Sequence, residues 1–336
     1  MRGLSWWPPW RRRLDPSAFF NRLHCLSGFG DRITDVWAAV TLARLHAADA
    51  RVDIYWHPDG NQYPGFTGIY DIDLFSIRGC QLVADVPRRS WSYGEDDWDF
   101  SDSHRIDHCL IQLPSGARQI VLRSGREWGN SCPDRLLTEL PHYELDPQLT
   151  LEQIVETYRG VAADTVPSPD VVEGIPADIA SRVGVHVRLT DKVLPDDQSE
   201  VAFEMSIATW KSIEASGLRY LEQAVERGEK FFICSDDLAY RDELIERVQA
   251  LGGNAVCASV PAQHGDRAGY PALVDFFGLT RCARVVQMTK YSTFSIAAAL
   301  SGELALRNFF DDKDGVGNRL DIWRSVLTDV TMEAFD

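Results

Sequence analysis

The second half of the chain alternates two kinds of segment, and this alternation is the feature that most restricts its fold. Short apolar runs rich in β-branched and aromatic residues recur. They are RVGVHVRL (Arg182 to Leu189), KFFICSDD (Lys230 to Asp237), NAVCASV (Asn254 to Val260) and ARVVQMTK (Ala283 to Lys290). Between them lie stretches with helical periodicity. In SIEASGLRYLEQAVERG, Leu218, Leu221 and Val225 share one face, and in LAYRDELIERVQALGG, Leu244, Ile245, Val248 and Leu251 do. Gly228 and Gly252 are placed to close these two helices. YPALVDFFGLTRCA and STFSIAAALSG, the latter starting at Ser292, supply two more. Near-continuous apolar strands alternating with helices predict a parallel sheet covered on both faces.

The first half carries a weaker version of the pattern. GFGDR (Gly28 to Arg32) reads as a turn, followed by a helix with Ile33, Val36, Trp37 and Val40 on one face and Asp31 as its N-cap. RVDIYW (Arg51 to Trp56), CQLVADV (Cys80 to Val86) and RQIVLRS (Arg118 to Ser124) read as strands. Between the last two lies SWSYGEDDWDFSDSHRIDH, too long and polar to be a mere connection. ADTVPSPDVVEGIP (163–176) concentrates Pro, Asp and small residues and marks a boundary. The chain of 336 residues is long enough for two domains. The expected units are 1–165 and 175–336.

Charge and cysteine usage exclude several roles. The formal net charge is -16, which argues against a general nucleic-acid or anionic-membrane binder, so an anionic ligand needs a local positive site. The seven cysteines are scattered, with no C-x-x-C pair, and no Asn begins an N-x-[ST] acceptor. This argues against a zinc site and a disulfide frame, and points to a reducing compartment, most simply the cytoplasm. The N-terminal MRGLSWWPPWRRRLDPSAFF has its apolar part before its basic part, the reverse of a signal peptide. It reads as a surface arm, with a membrane-surface touch by Trp6, Trp7, Trp10 and Arg11 to Arg13 as the alternative. No apolar run reaches the roughly 18 residues of a membrane span.

In an open parallel sheet, ligands bind beyond the carboxyl ends of the strands. Three strand ends carry polar groups: His186, Arg188, Thr190, Asp191 and Lys192; Ser235, Asp236 and Asp237; and Thr289, Lys290, Ser292 and Thr293. The third is an anion site on general grounds, because helix N-terminal N–H groups beside hydroxyls suit a phosphate. If the first strand runs far enough, His186, Arg188 and Thr190 share a face. A guanidinium there meets phosphate oxygens in bidentate fashion. A salt-bridged corner is the alternative reading of the same pattern.

GVHVRLTDKV resembles the first motif of the α1,6-fucosyltransferases and their protein O-fucosyltransferase relatives. FFICSDD resembles their second motif, and LVDFFGLTRCARVVQMTKYSTFS their third. GFGDRITDVWAAVTLARL is similar to a segment of the bacterial nodulation fucosyltransferase, which attaches fucose to chitin oligosaccharides. The resemblance covers the second half and about forty residues near the start. It implies an α/β fold of GT-B type, two Rossmann-like domains facing across a cleft, and a fucosyltransferase. The implied enzyme uses GDP-β-L-fucose as donor and a carbohydrate acceptor, inverts the sugar, and needs no metal or other cofactor.

By the same resemblance, His186 contacts the nucleotide and Arg188 holds the β-phosphate and stabilises the leaving group. Asp275 contacts the guanosine, Ser292 and Thr293 bind the diphosphate, and Asp236 and Asp237 shape the nucleotide loop. Gly28 and Gly30 let the N-terminal loop approach closely. Lys192 joins Arg188 among the residues carrying the chemistry, and family position gives Asp196 as the base, with Asp197 and Glu200 as competitors. Leu189 stands where many α1,6-type enzymes carry a second Arg, which bears on bond type and acceptor. Trp91, Tyr93 and Trp98 are placed to stack on acceptor sugar rings or to pack a long loop. His104, Asp107 and His108 have a metal-like look that a polar loop explains as well. The alternatives are another GDP-sugar, a protein acceptor, or a nucleotide- or glycan-binding module without turnover.

Overall fold

The computed structural model describes residues 19–22, 28–48, 50–55, 72–83, 109–112, 118–121, 132–190, 193–194, 205–264, 267, 269–310, 323, 325–327 and 330–332. The chain divides into two compact units, Met1–Thr165 and Val166–Asp336.

The first unit contains β1 (Phe19–Arg22), α1 (Phe29–His46), β2 (Val52–Tyr55), β3 (Phe75–Ile77), β4 (Cys80–Val83), β5 (Cys109–Gln112), β6 (Arg118–Val121), α2 (Pro133–Glu139) and α3 (Leu151–Ala163). Its main sheet has the order β4-β2-β1-β6-β5, parallel except for the β5/β6 pair. Helix α1 is buried nearly all round: every residue from Phe29 to Ala43 except Asp31 is buried. Its N-cap is Gly28, not Asp31, which sits in the first turn with its carbonyl accepting from the Thr34 hydroxyl. A helix whose whole surface is covered carries no single-face signature, so the pattern placed its start too late. Trp37 donates from Nε1 to the Thr165 hydroxyl at 2.8 Å, and Tyr158 donates to the Thr34 carbonyl at 3.2 Å, fixing α1 against α3.

From β7 (Thr165–Pro167) the chain passes through α4 (Pro169–Glu173), capped by the Ser168 hydroxyl with a Pro in its first turn. The Pro-rich stretch around the boundary is therefore ordered rather than a bare linker.

The second unit then runs β8 (Arg182–Val187), β9 (Val193–Leu194), β10 (Met205–Ser206), α5 (Ile207–Glu226), β11 (Lys230–Ser235), α6 (Leu238–Ala250), β12 (Asn254–Val256), α7 (Tyr270–Leu279), β13 (Arg284–Met288), α8 (Thr293–Ser301), β14 (Leu306–Asn308) and β15 (Val330–Met332). Six strands form one parallel sheet, β12-β11-β8-β13-β14-β15. The last described residues, Val330–Met332, form its edge strand. Alternation sorts the two faces. Val183, Val185, Val187, Phe231, Ile233, Val286 and Met288 pack in one core with Trp210, Ile213, Leu221, Leu244 and Val248 of α5 and α6. On the other face, a Cβ at Gly184 would stand 2.7 Å from Leu279 and 3.0 Å from the Cys282 sulfur, so a bare backbone lets α7 approach β8 closely. Gly228 and Gly252, at φ of 76° and 83°, supply the left-handed turns after α5 and α6. Leu251, read as inward, is 47% exposed, because α6 has already ended at Ala250.

Arg182 pins the amino ends of three strands. Its guanidinium donates to Asp178 at 2.7 and 2.9 Å, to the Phe231 carbonyl at 3.0 Å and to Asn254 Oδ1 at 2.8 Å. Its side chain is almost wholly buried, so removing it leaves those acceptors partly unpaired. Arg182→Leu should lower stability by about 2 kcal/mol, read from the urea midpoint at unchanged slope.

Candidate functional site

Strand β8 lies between β11 and β13, parallel to both. Val187 pairs with Ser235 on one side and with Met288 on the other. The three carboxyl ends stop at one level, so the loops 188–190, 236–237 and 289–292 leave the same edge of the sheet.

The Asp236 carboxylate ties the first two loops together. It accepts from the Leu189 N–H at 2.8 Å, the Thr190 N–H at 3.2 Å and the Thr190 hydroxyl at 2.5 Å. Asp237 does a different job: it caps α6, accepting from the Tyr240 N–H at 3.0 Å. Strand β8 ends at Val187, so Arg188 opens the loop instead of continuing the pleat. Thr190, expected beside His186 and Arg188 on one face, is turned to Asp236 instead.

His186 lies on the α7/α8 face of the sheet and is 6% exposed. Its ring stacks on Phe294, with centroids 5.1 Å apart, and its Nδ1 is 3.2 Å from the Ser295 hydroxyl. Burial, and then the nearby Arg188 charge, hold its pKa down to about 3, so the imidazole is neutral. Arg188 is itself half-buried.

The third loop leads into α8. It is held at several points. Lys290 N–H points to the Met205 sulfur at 3.3 Å, Asn308 Nδ2 donates to the Lys290 carbonyl at 3.2 Å, and Trp323 Nε1 donates to the Tyr291 hydroxyl at 3.1 Å. Ser292 is the N-cap of α8 but its side chain makes no capping bond. The Ser292 hydroxyl is buried and has no hydrogen-bond partner among the described residues. A buried polar group left in that state costs free energy unless something meets it. Thr293, at the first helical position, is also buried. The first turn of α8 thus combines a positive dipole end, N–H groups not claimed by the cap side chain and an uncommitted hydroxyl.

Asp275 lies on α7, beside β11: the Cys234 sulfur is 4.0 Å from the Asp275 carbonyl. Burial pushes the Asp275 carboxyl up to about 7, with the Cys234 thiol and the Arg241 charge pulling the other way. At neutral pH this carboxyl can exist in either form.

Of the residues singled out in the sequence, His186, Arg188, Asp236, Asp237, Asp275, Ser292 and Thr293 all belong to the second unit, on the exits of β8 and β11, the first turn of α8 and the neighbouring α7. Gly28 and Gly30 belong to the first unit. Gly28 caps α1 at φ -66° and ψ 175°, a conformation open to any residue, and Gly30 is buried in the first turn. Asp191, Lys192, Asp196, Asp197, Glu200, Trp91, Tyr93, Trp98, His104, Asp107, His108 and the N-terminal Trp and Arg residues lie outside the described residues. Among the described residues no three His, Cys, Asp or Glu side chains are grouped to hold a metal, and no helix is long and apolar enough to cross a membrane. Cys80, Cys132, Cys234, Cys257 and Cys282 are free thiols.

The sequence reading missed Gln287, Phe294 and Ser295, which surround His186. One signal was available: Gln287 is the only uncharged polar residue inside the apolar core of ARVVQMTK, where burial demands a partner.

The two acids of the CSDD motif should separate in solution. Asp236→Ala should strip hydrogen-exchange protection from the Leu189 and Thr190 amides. Asp237→Ala should cost about 1 kcal/mol of stability as a lost cap while leaving those two amides protected.

The chain matches no protein-family model and no curated protein. Solved structures to which it is similar include fucosyltransferase NodZ from Bradyrhizobium, at 18% identity, covering 84% of this chain and 92% of that one, with a TM-score of 0.47. A mutant of Arabidopsis thaliana FUT1 in complex with GDP is similar at 14% identity, covering 88% and 71%, with a TM-score of 0.44. POFUT1 in complex with GDP-fucose is similar at 14% identity, covering 87% and 96%, with a TM-score of 0.42.

Proposed function

We propose that the chain is an inverting, metal-independent glycosyltransferase that transfers fucose from GDP-fucose to a glycan acceptor. The observation that carries this reading is the Ser292 hydroxyl at the cap of α8, buried and without a hydrogen-bond partner among the described residues, at the same sheet edge as Arg188. That combination suits a diphosphate.

In this reading the diphosphate sits on the α8 N-terminus, with Ser292 and Thr293 beside it. The Arg188 guanidinium meets the β-phosphate. As the bond from the anomeric carbon to the β-phosphate oxygen breaks, negative charge grows on that oxygen, and Arg188 and the helix end stabilise it in place of a metal. The acceptor hydroxyl attacks the opposite face of the sugar, turning a β-linked donor into an α-linked product. A carboxylate takes the hydroxyl proton, and Asp196 is assigned that role, with Lys192 nearby in sequence. Asp275 accepts from the guanine N1–H and amino group, the donors on that edge of the base. Trp91, Tyr93 and Trp98 are assigned to stacking on the acceptor sugar rings. The enzyme works in the cytoplasm, without nucleic acid or stable membrane insertion.

Arg188→Ala should lower transfer from GDP-fucose by about 10²–10³-fold, and EDTA should leave the wild-type rate unchanged. The anomeric proton of the product should report an α linkage. Undiminished turnover in Arg188→Ala would refute the assignment.

Asp275 gives the site a pH signature. Its carboxyl accepts from both guanine donors at once only when ionised, so GDP should bind more tightly as pH rises through about 7. The free protein should show the opposite trend. Asp275 retains a proton between its ordinary 3.8 and about 7 that the unfolded chain has lost, so its contribution to stability declines as pH rises across that window. Asp275→Asn should flatten both dependences, measured by calorimetric titration and thermal unfolding from pH 5 to 8.5.

A further inference from the structure

His186 is neutral, so one ring nitrogen carries a proton and the other a lone pair. Which is which decides what the ring can recognise, and the surroundings of Nδ1 settle it.

Ser295 stands 3.2 Å from His186 Nδ1 and has one hydroxyl proton to give. Its two other close neighbours are both acceptors. The Gln287 side-chain oxygen is 2.6 Å away, and the Ser292 carbonyl is 3.2 Å away. Gln287 is itself the direct cross-strand neighbour of His186 in the β8/β13 register, and it is fully buried. The short contact takes the Ser295 proton, leaving the oxygen lone pairs of Ser295 facing Nδ1. That bond exists only if Nδ1 is the donor. The backbone carbonyl of Ser292 cannot exchange roles, so the proton of Ser295 has an acceptor there whichever way the Gln287 amide is turned.

We propose that Ser295, backed by Gln287, is a positioning residue that fixes His186 as the tautomer protonated on Nδ1, so that Nε2 offers a lone pair to a ligand N–H or O–H. His186 Nε2 has no hydrogen-bond partner among the described residues. Phe294, stacked on the ring, holds its plane. The ring therefore selects for a hydrogen-bond donor and against a carbonyl or phosphate oxygen at that point. The nature of the ligand rests on the nucleotide reading above, under which the donor is the guanine amino group or a ribose hydroxyl; the tautomer does not depend on it.

The test uses the full chain with ¹⁵N-labelled histidine, the His186 signals being assigned by their loss in His186→Gln. Long-range proton–nitrogen correlation on the free protein at pH 7.5 should show Nδ1 protonated and Nε2 bare. Ser295→Ala should shift His186 towards the Nε2–H form and weaken GDP binding roughly five- to tenfold, the effect of one lost neutral hydrogen bond. Ser295→Thr, which keeps the hydroxyl, should restore both and guards against a folding defect in the alanine variant. Inosine diphosphate and 2′-deoxy-GDP separate the two donors: one of them should lose affinity in the wild type and lose less in Ser295→Ala. An Nε2–H tautomer in the free wild type overturns the relay, as does a folded Ser295→Ala with unchanged tautomer. Equal losses for both analogues in both proteins overturn the ligand half. If the wild type does not bind GDP at all, the nucleotide reading falls while the tautomer measurement still decides the relay.

Discussion

The Asp236 carboxylate is the interaction on which the site depends. Three hydrogen bonds from the Leu189 and Thr190 backbone and the Thr190 hydroxyl converge on it. They turn the chain away from the pleat immediately after β8 and set where Arg188 sits. A carboxylate can accept several N–H and O–H bonds at once, which lets one side chain hold two neighbouring loops together. The parallel register supplies the rest. With β8 paired to β11 and β13 at the same level, a single short side chain can reach from one exit to the next.

The chain is acidic overall, so an anion at the sheet edge of the second unit needs local positive sources. The local sources are the Arg188 guanidinium and the dipole of α8, whose cap residue does not satisfy its own helix. An N-cap serine with a buried, partnerless hydroxyl is poor design for stability alone. It is intelligible if an anion completes the helix end. His186 adds a neutral element to the same edge, because burial keeps it uncharged beside Arg188. In the proposed reading, Arg188 and the α8 end take the charge, and His186 and Asp275 read the base or sugar.

Much of this was legible in the sequence. Apolar runs at β8, β11 and β13 and helical periodicity at α5 through α8 were strong, because buried parallel strands leave little room for polar residues. The polar groups at the strand ends were legible for the same reason. The division of labour between Asp236 and Asp237 was not: both read as one acidic pair, and only the third dimension shows that one clasps a distant loop while the other caps its own helix. The start of α1 was misplaced because burial on all sides erased the polar face that marks a helix boundary. The Gln287–Ser295–His186 relay was hidden because it joins residues from three elements through side chains alone.

The central claim is that the sheet edge of the second unit holds a guanosine diphosphate sugar without metal. The measurement that meets it most directly is a thermal-shift and calorimetric comparison of GDP, GDP-fucose, UDP and NAD, all in EDTA. The account predicts stabilisation by GDP and GDP-fucose and little by UDP or NAD. UDP binding more tightly than GDP, or binding that appears only with a divalent cation, would contradict it.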